Sequence, residues 1–403
     1  MYRADGIIRA LLLLVVGETK RPAHLFAAAL LLPLGTVTCA QTDLAHIEEL
    51  EERIDDLEEI LSEIDDHVGS RAVVNAFEGI SLDVGGFLHS TVTHADGEEG
   101  SATSFNRNVF ELLVRAELDE KWSAFIAQAF IRESDPLFDD DGDGISNEIG
   151  ERLDPRFELV SSSPQVLAWS NYRHSDRLNV QFGRFITPHG IINIDHFPAI
   201  LFDPEQPQFL RPFSSQTIFP NFVDGIQVHG KKFVGQAKNP LSYNLYFSNF
   251  AGNSDDFVSG ARVSYELDEL GITFGANLTT GSRAEGVDSD YRVFGADILY
   301  DQGSLIWKTE YFITDEESGS DRETFYSQPA WRFNSEWAVF FRYDFLDDGA
   351  DTGSRTENAV GINFTPLSNI RLRATATNRS IEAENGFPEA DLRTYQLSAT
   401  LSF

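Results

Sequence analysis

From about residue 80 onward the chain alternates between apolar and polar side chains with a period of two. Tyr395, Leu397, Ala399, Leu401 and Phe403 interleave with Gln396, Ser398, Thr400 and Ser402. Successive side chains of a strand point to opposite faces, so one face here is apolar and the other small and polar. Ile370, Leu372, Ala374 and Ala376 likewise interleave with Arg371, Arg373, Thr375 and Thr377. Trp337, Val339, Phe341, Tyr343 and Phe345 interleave with Ala338, Arg342 and Asp344, and Leu305, Trp307, Tyr311 and Ile313 with Ser304, Lys308 and Glu310. An aromatic outside and a charged inside suit a cylinder with lipid around it and water within. In lipid each unpaired backbone group costs several kcal/mol, so a spanning sheet has to close on itself.

Counting such runs gives about sixteen strands, and hence an all-β fold, a transmembrane antiparallel barrel over 71–403. Short turns such as Asp119-Glu120-Lys121 and Asn334-Ser335-Glu336 alternate with longer acidic stretches, among them 95–106, 134–163 and 188–221. A barrel of this size is too wide for its own side chains to fill. An even count puts both ends of the barrel on one side of the membrane, the periplasmic side.

Two features precede the barrel. Basic residues, the apolar run 25–34 and the small-residue ending at Ala40 match an export signal over 1–40, with 1–18 read as a start-site extension. A dual element and lipidation at Cys39 are the competing readings. Residues 43–68 carry heptads: Ile47, Ile54, Leu61 and Val68 on one position, Leu50, Leu57 and Ile64 on the other. A strip this short needs partner copies, so 41–70 is expected to be a periplasmic coiled coil that makes a homo-oligomer. A lone acidic helix packed on something else is the alternative.

The formal net charge of -33 excludes a duplex-binding surface, so no nucleic-acid partner is expected. Residues 41–70 hold twelve acids against one arginine. No phosphate-binding glycine loop, nucleophile elbow or Cys/His metal set is present, and no enzymatic activity is expected.

The stretch 183–225 is distinctive, because 188–221 is far too long for a hairpin connection and reads as a folded or functional loop. Its GRF-x-TP-x-G start and later DG-x-x-x-x-G resemble porins of the phosphate-selective O/P type and related coiled-coil porins. The resemblance implies a trimer, a third external loop folded into the lumen as a constriction, and a passive channel favouring anions. Cationic candidates in the constriction are Arg184, His189, His196 and Arg211; acidic ones are Asp195, Asp203 and Glu205. Strand parity turns His229, Lys231, Arg262, Lys308, Arg342, Arg371, Arg373 and Arg379 inward, where a positive field would concentrate anions. Mutual neutralisation of arginines and acids is the competing reading. Arg184 shares the outward parity of Leu178, Val180 and Phe182, so it lines the pore only if Gly183 is a bulge.

Asp139, Asp141, Asp143, the Ile145 carbonyl, Asn147 and Glu151 space their oxygens as a calcium loop does, though Gly150 stands where the twelfth-position acid belongs. A Ca2+ ion is expected there; an acidic loop bridging lipopolysaccharide through divalent ions is the alternative. No other cofactor is required. The composite expectation is an outer-membrane channel for small hydrophilic solutes, with phosphate or small organic acids favoured. A calcium-binding structural or adhesive barrel with a plugged lumen is the second reading. A carrier of hydrophobic substrates would need an apolar lumen, which the inward Arg and Lys residues oppose.

Overall fold

The computed structural model describes residues 80–403 apart from 98–99, 134–159, 163, 211–216, 251–256, 283–289, 318–320, 348–353 and 383–389. The expected signal, the coiled coil, the calcium loop and Arg211 all lie outside the described residues.

The strands run β1 Ser81–Gly97, β2 Gly100–Glu117, β3 Trp122–Glu133, β4 Val160–Ser162, β5 Gln165–Ser175, β6 Leu178–Ile186, β7 Phe222–Val234 and β8 Asn239–Phe250. They continue as β9 Phe257–Leu267, β10 Ile272–Ser282, β11 Asp290–Gln302, β12 Leu305–Glu316, β13 Glu323–Arg332, β14 Trp337–Asp347, β15 Ser354–Leu367, β16 Ile370–Ile381 and β17 Ala390–Ser402. Each is hydrogen-bonded antiparallel to its sequence neighbours, except that β4 and β5 both pair with β3. Those two are one stave broken at 163–164, which makes a sixteen-strand barrel. Gln128 lies on the outward face across the break, and its side-chain amide donates to the Pro164 carbonyl at 3.1 Å.

β17 pairs with β1 and closes the cylinder. At the seam Gly86 and Phe403 exchange both backbone hydrogen bonds, each 3.1 Å. Gly86 is needed there, because a Cβ would fall 2.3 Å from the Glu111 carbonyl oxygen.

Large apolar side chains stand on the outside: Ile226, Phe247, Phe274, Phe294, Trp307 and Phe341 are all more than a third exposed. Inward positions of the same strands are polar and buried, such as Asn277, Asp297, Glu310 and Arg342. One expectation needs correction. Residues 95–97 and 100–106 are strand rather than loop, since β1 and β2 pair through them with a register shift between Thr91 and Thr93. The segment Ser101 to Asn106 is small and polar on both faces apart from Phe105, so alternation cannot reveal it as strand.

Candidate functional site

The described loop residues, 187–210 and 217–221, turn inward from the β6–β7 end of the barrel and lie against the lumen wall. The base of the loop is closed by Thr187 N–H to the Asn221 carbonyl at 2.9 Å and by the Asn193 amide to the Thr187 carbonyl at 2.7 Å. Its first turn is gripped by the wall. The Glu310 carboxylate on β12 accepts from Ile191 N–H at 3.0 Å and Ile192 N–H at 2.7 Å. Asn277 accepts from Gly190 N–H at 3.2 Å, and Arg262 donates to the Gly190 carbonyl. Gly190 has φ +65°, and a Cβ there would sit 2.2 Å from the Glu310 carboxylate, so this turn requires glycine. Arg262 is held by Asp297 at 2.7 Å, and Lys308 meets Asp195 at 2.7 Å.

Further along, the loop is fixed by an ionic lattice on β14, β15 and β16. Arg342 meets Asp203 at 3.0 Å and also pairs with Glu357; Arg379 pairs with Glu357 and Glu205. Gln208 N–H donates to Asp344 at 2.8 Å. These groups are nearly inaccessible, so each charge depends on its partner: an unpaired buried ion costs several kcal/mol. Between the two ionic anchors lies an apolar one. Ile192, Leu201, Phe209, Leu210, Ile218 and Phe219 pack on Tyr291, Val293, Phe312, Tyr326 and Leu346 of β11 to β14.

Arg371 and Arg373 differ from the others. Arg373 donates to the Leu201 carbonyl at 2.9 Å, to the Pro198 carbonyl and to the Thr400 hydroxyl at 2.8 Å. Arg371 donates to the Leu201 carbonyl at 3.1 Å. Their acceptors are neutral, and among the described residues neither forms an ion pair.

Several expected site residues behave otherwise than the sequence implies. Arg184 pairs directly with Ala168 and Asp224 with no register shift at Gly183, so it stays on the outer face. There it bonds Asp224 at 3.0 Å and lies over the Phe222 ring. His189 is not cationic: burial pushes its pKa down to about 3, and its ring bonds the Tyr246 hydroxyl at 2.9 Å. His196 packs between Phe197 and Phe222, and burial draws it down to about 4. His229 bonds Asn171 at 3.0 Å on the inward face, and Lys231 is exposed at the rim of short turns. Sequence reasoning passed over Asp297, Glu310, Asp344 and Glu357. The parity that turns Lys308 and Arg342 inward turns Glu310 and Asp344 inward too.

No protein-family model matches the chain, and no curated protein does. Solved structures do. The anion-selective porin from Comamonas acidovorans superposes with a TM-score of 0.51 at 11% identity, covering 80% of this chain and 100% of that one. OmpF of Salmonella typhi gives 0.52 at 12% identity, covering 81% and 98%. The outer-membrane channel DcaP of Acinetobacter baumannii gives 0.50 at 12% identity, again 81% and 98%. The fold is that of the outer-membrane porins. Apolar side chains outside and polar ones within suit such a barrel to a lipid bilayer.

Proposed function

We propose that the chain is a diffusion channel for small hydrophilic solutes with a preference for anions such as phosphate or small organic acids. The observation that carries the preference is the Arg371–Arg373 pair. The other described arginines bonded to the loop, Arg262, Arg322, Arg342 and Arg379, sit against carboxylates. Arg371 and Arg373 are held by carbonyl and hydroxyl oxygens, which orient a guanidinium without cancelling its charge. A fixed positive charge in a narrow, low-dielectric passage raises the local concentration of anions. The loop 188–221 sets the size limit. Planar-bilayer reversal potentials in a salt gradient test this reading; a cation preference overturns it.

Two further segments, 43–68 and 139–151, lie outside the described residues. Residues 43–68 assemble the chain as a homo-oligomer, a trimer, which cross-linking of the chain with and without that segment checks. Asp139, Asp141, Asp143, Ile145, Asn147 and Glu151 hold Ca2+, and thermal stability lost to a chelator but insensitive to it in D141A is the expected signature.

A second reading is a structural barrel with a closed lumen. It is favoured by the burial of inward hydroxyl residues Thr375, Thr377, Thr394 and Ser398, each 7% exposed or less. Absence of any ion conductance in bilayers decides for it.

A further inference from the structure

The chain carries a formal charge of -33, yet one sector of the short-turn rim is basic. Lys121, Arg173, Arg177, Lys231, Lys232 and Lys238 lie at the β2–β3, β5–β6 and β7–β8 turns and are all exposed. The acids at these turns are Asp119, Glu120 and Asp176, whereas the next turn, β9–β10, carries Asp268 and Glu269 beside Glu266 and no cation. The main chain knits the basic turns into one patch. Arg173 N–H donates to the Lys121 carbonyl at 2.7 Å, and Lys231 N–H to the Asp176 carbonyl at 2.8 Å. The Tyr243 hydroxyl donates to the Arg177 carbonyl at 2.7 Å. A Cβ at Gly230 would fall 2.1 Å from that same carbonyl, so glycine there lets the turn lie against β7.

Arg173 is taken up by Asp176 at 2.6 Å. Among the described residues no ion pair engages Lys121, Arg177, Lys232 or Lys238. Lys232 has the outward parity of Ile226 and Val228. Below the cations the outward wall is aromatic: Trp122 meets the Tyr172 ring at 4.9 Å and the Phe182 ring at 6.2 Å. Unpaired cations above amphipathic rings are the chemistry of a membrane interface, where rings sit at headgroup level and basic side chains reach phosphates. A soluble anion would have no use for the apolar wall beneath.

We propose that this sector is a docking site for acidic phospholipid, with the headgroup phosphate on Lys121, Arg177 and Lys232 and the acyl chains along Trp122, Tyr172 and Phe182. The test is native mass spectrometry of the full chain released from nanodiscs of phosphatidylcholine doped with phosphatidylglycerol. Preferential retention of phosphatidylglycerol is expected, with a loss of about fivefold per cation removed at low salt in K121Q/R177Q/K232Q. The variant D268N/E269Q on the acidic sector should retain lipid like the parent. K232Q alone, a change at one exposed side chain, carries the test if the triple variant does not fold. Equal retention of the two lipids overturns the proposal, as does an unchanged preference in the variants. Displacement of the lipid by millimolar inorganic phosphate would identify a free-anion site instead and would overturn it too.

Discussion

Two sets of arginines hold the same loop by different means. Arg342 and Arg379 meet the Asp203 and Glu205 carboxylates of the loop and share Glu357 on the wall, Arg342 donating also to the Glu205 carbonyl. Arg371 and Arg373, on the same wall, meet it through main-chain carbonyls of Pro198 and Leu201. A carboxylate clamp is strong where both partners are buried, and here three acids, Asp203, Glu205 and Glu357, more than offset the two guanidinium charges. A carbonyl clamp is weaker and preserves the charge. One wall thus separates anchoring from electrostatics, and inward orientation alone does not tell which arginine does which.

The comparison can be broken most directly at Glu357. E357Q removes the carboxylate that Arg342 and Arg379 share and leaves each guanidinium with one loop acid, Asp203 or Glu205, a loss of about 1.5–3 kcal/mol. The urea midpoint of the barrel in lipid vesicles should fall accordingly, and an unchanged midpoint would show the lattice contributes little.

Acid should loosen the clamped end of the loop. His189 keeps its pKa near 3 in the fold against an ordinary 6.5, and His196 near 4. The unfolded chain therefore binds protons that the folded chain refuses once the pH drops below 6.5. Stability is full above that value and falls by up to about 1.4 kcal/mol per pH unit for each histidine on the way down to the folded pKa. Replacing both with Gln should flatten the acid limb of a melting-temperature profile; a limb of unchanged slope would place the acid sensitivity elsewhere.

R371Q/R373Q should reduce the anion-to-cation permeability ratio several-fold, while an equivalent R342Q costs stability more than selectivity. The same ratio measured in the parent and in R371Q/R373Q would remove the pair from the solute path. The smallest effect is expected at Arg184, which faces outward: R184Q should leave the reversal potential where it was.

The barrel was largely legible because its wall repeats one rule. Alternation placed Trp337 outward and Arg342 inward, and the strands found lie close to those expected. It failed over Ser101 to Asn106, where small polar residues offer no contrast between faces. It left Arg184 open between outward parity and a bulge at Gly183, and the unshifted register decides for the outer face. The site was less legible. The length of 188–221 signalled a special loop, but the pairs that hold it, such as Glu310 with the Ile191 amide, join distant positions through side-chain reach. Periodicity assigns a face and leaves the partner undetermined. The neutral state of His189 and His196 depends on burial under a folded loop, which no local pattern encodes.

The seam between β1 and β17 has a consequence for biogenesis. His89 and Thr400, bonded across it, stand 311 residues apart in the chain. Until those two strands find each other, the growing sheet has two raw margins able to recruit any extended polypeptide nearby. A ring that locks with its outermost staves spends its whole assembly exposed to that hazard, so the speed of the final meeting, rather than the strength of any single stave, governs how much chain is lost to aggregation.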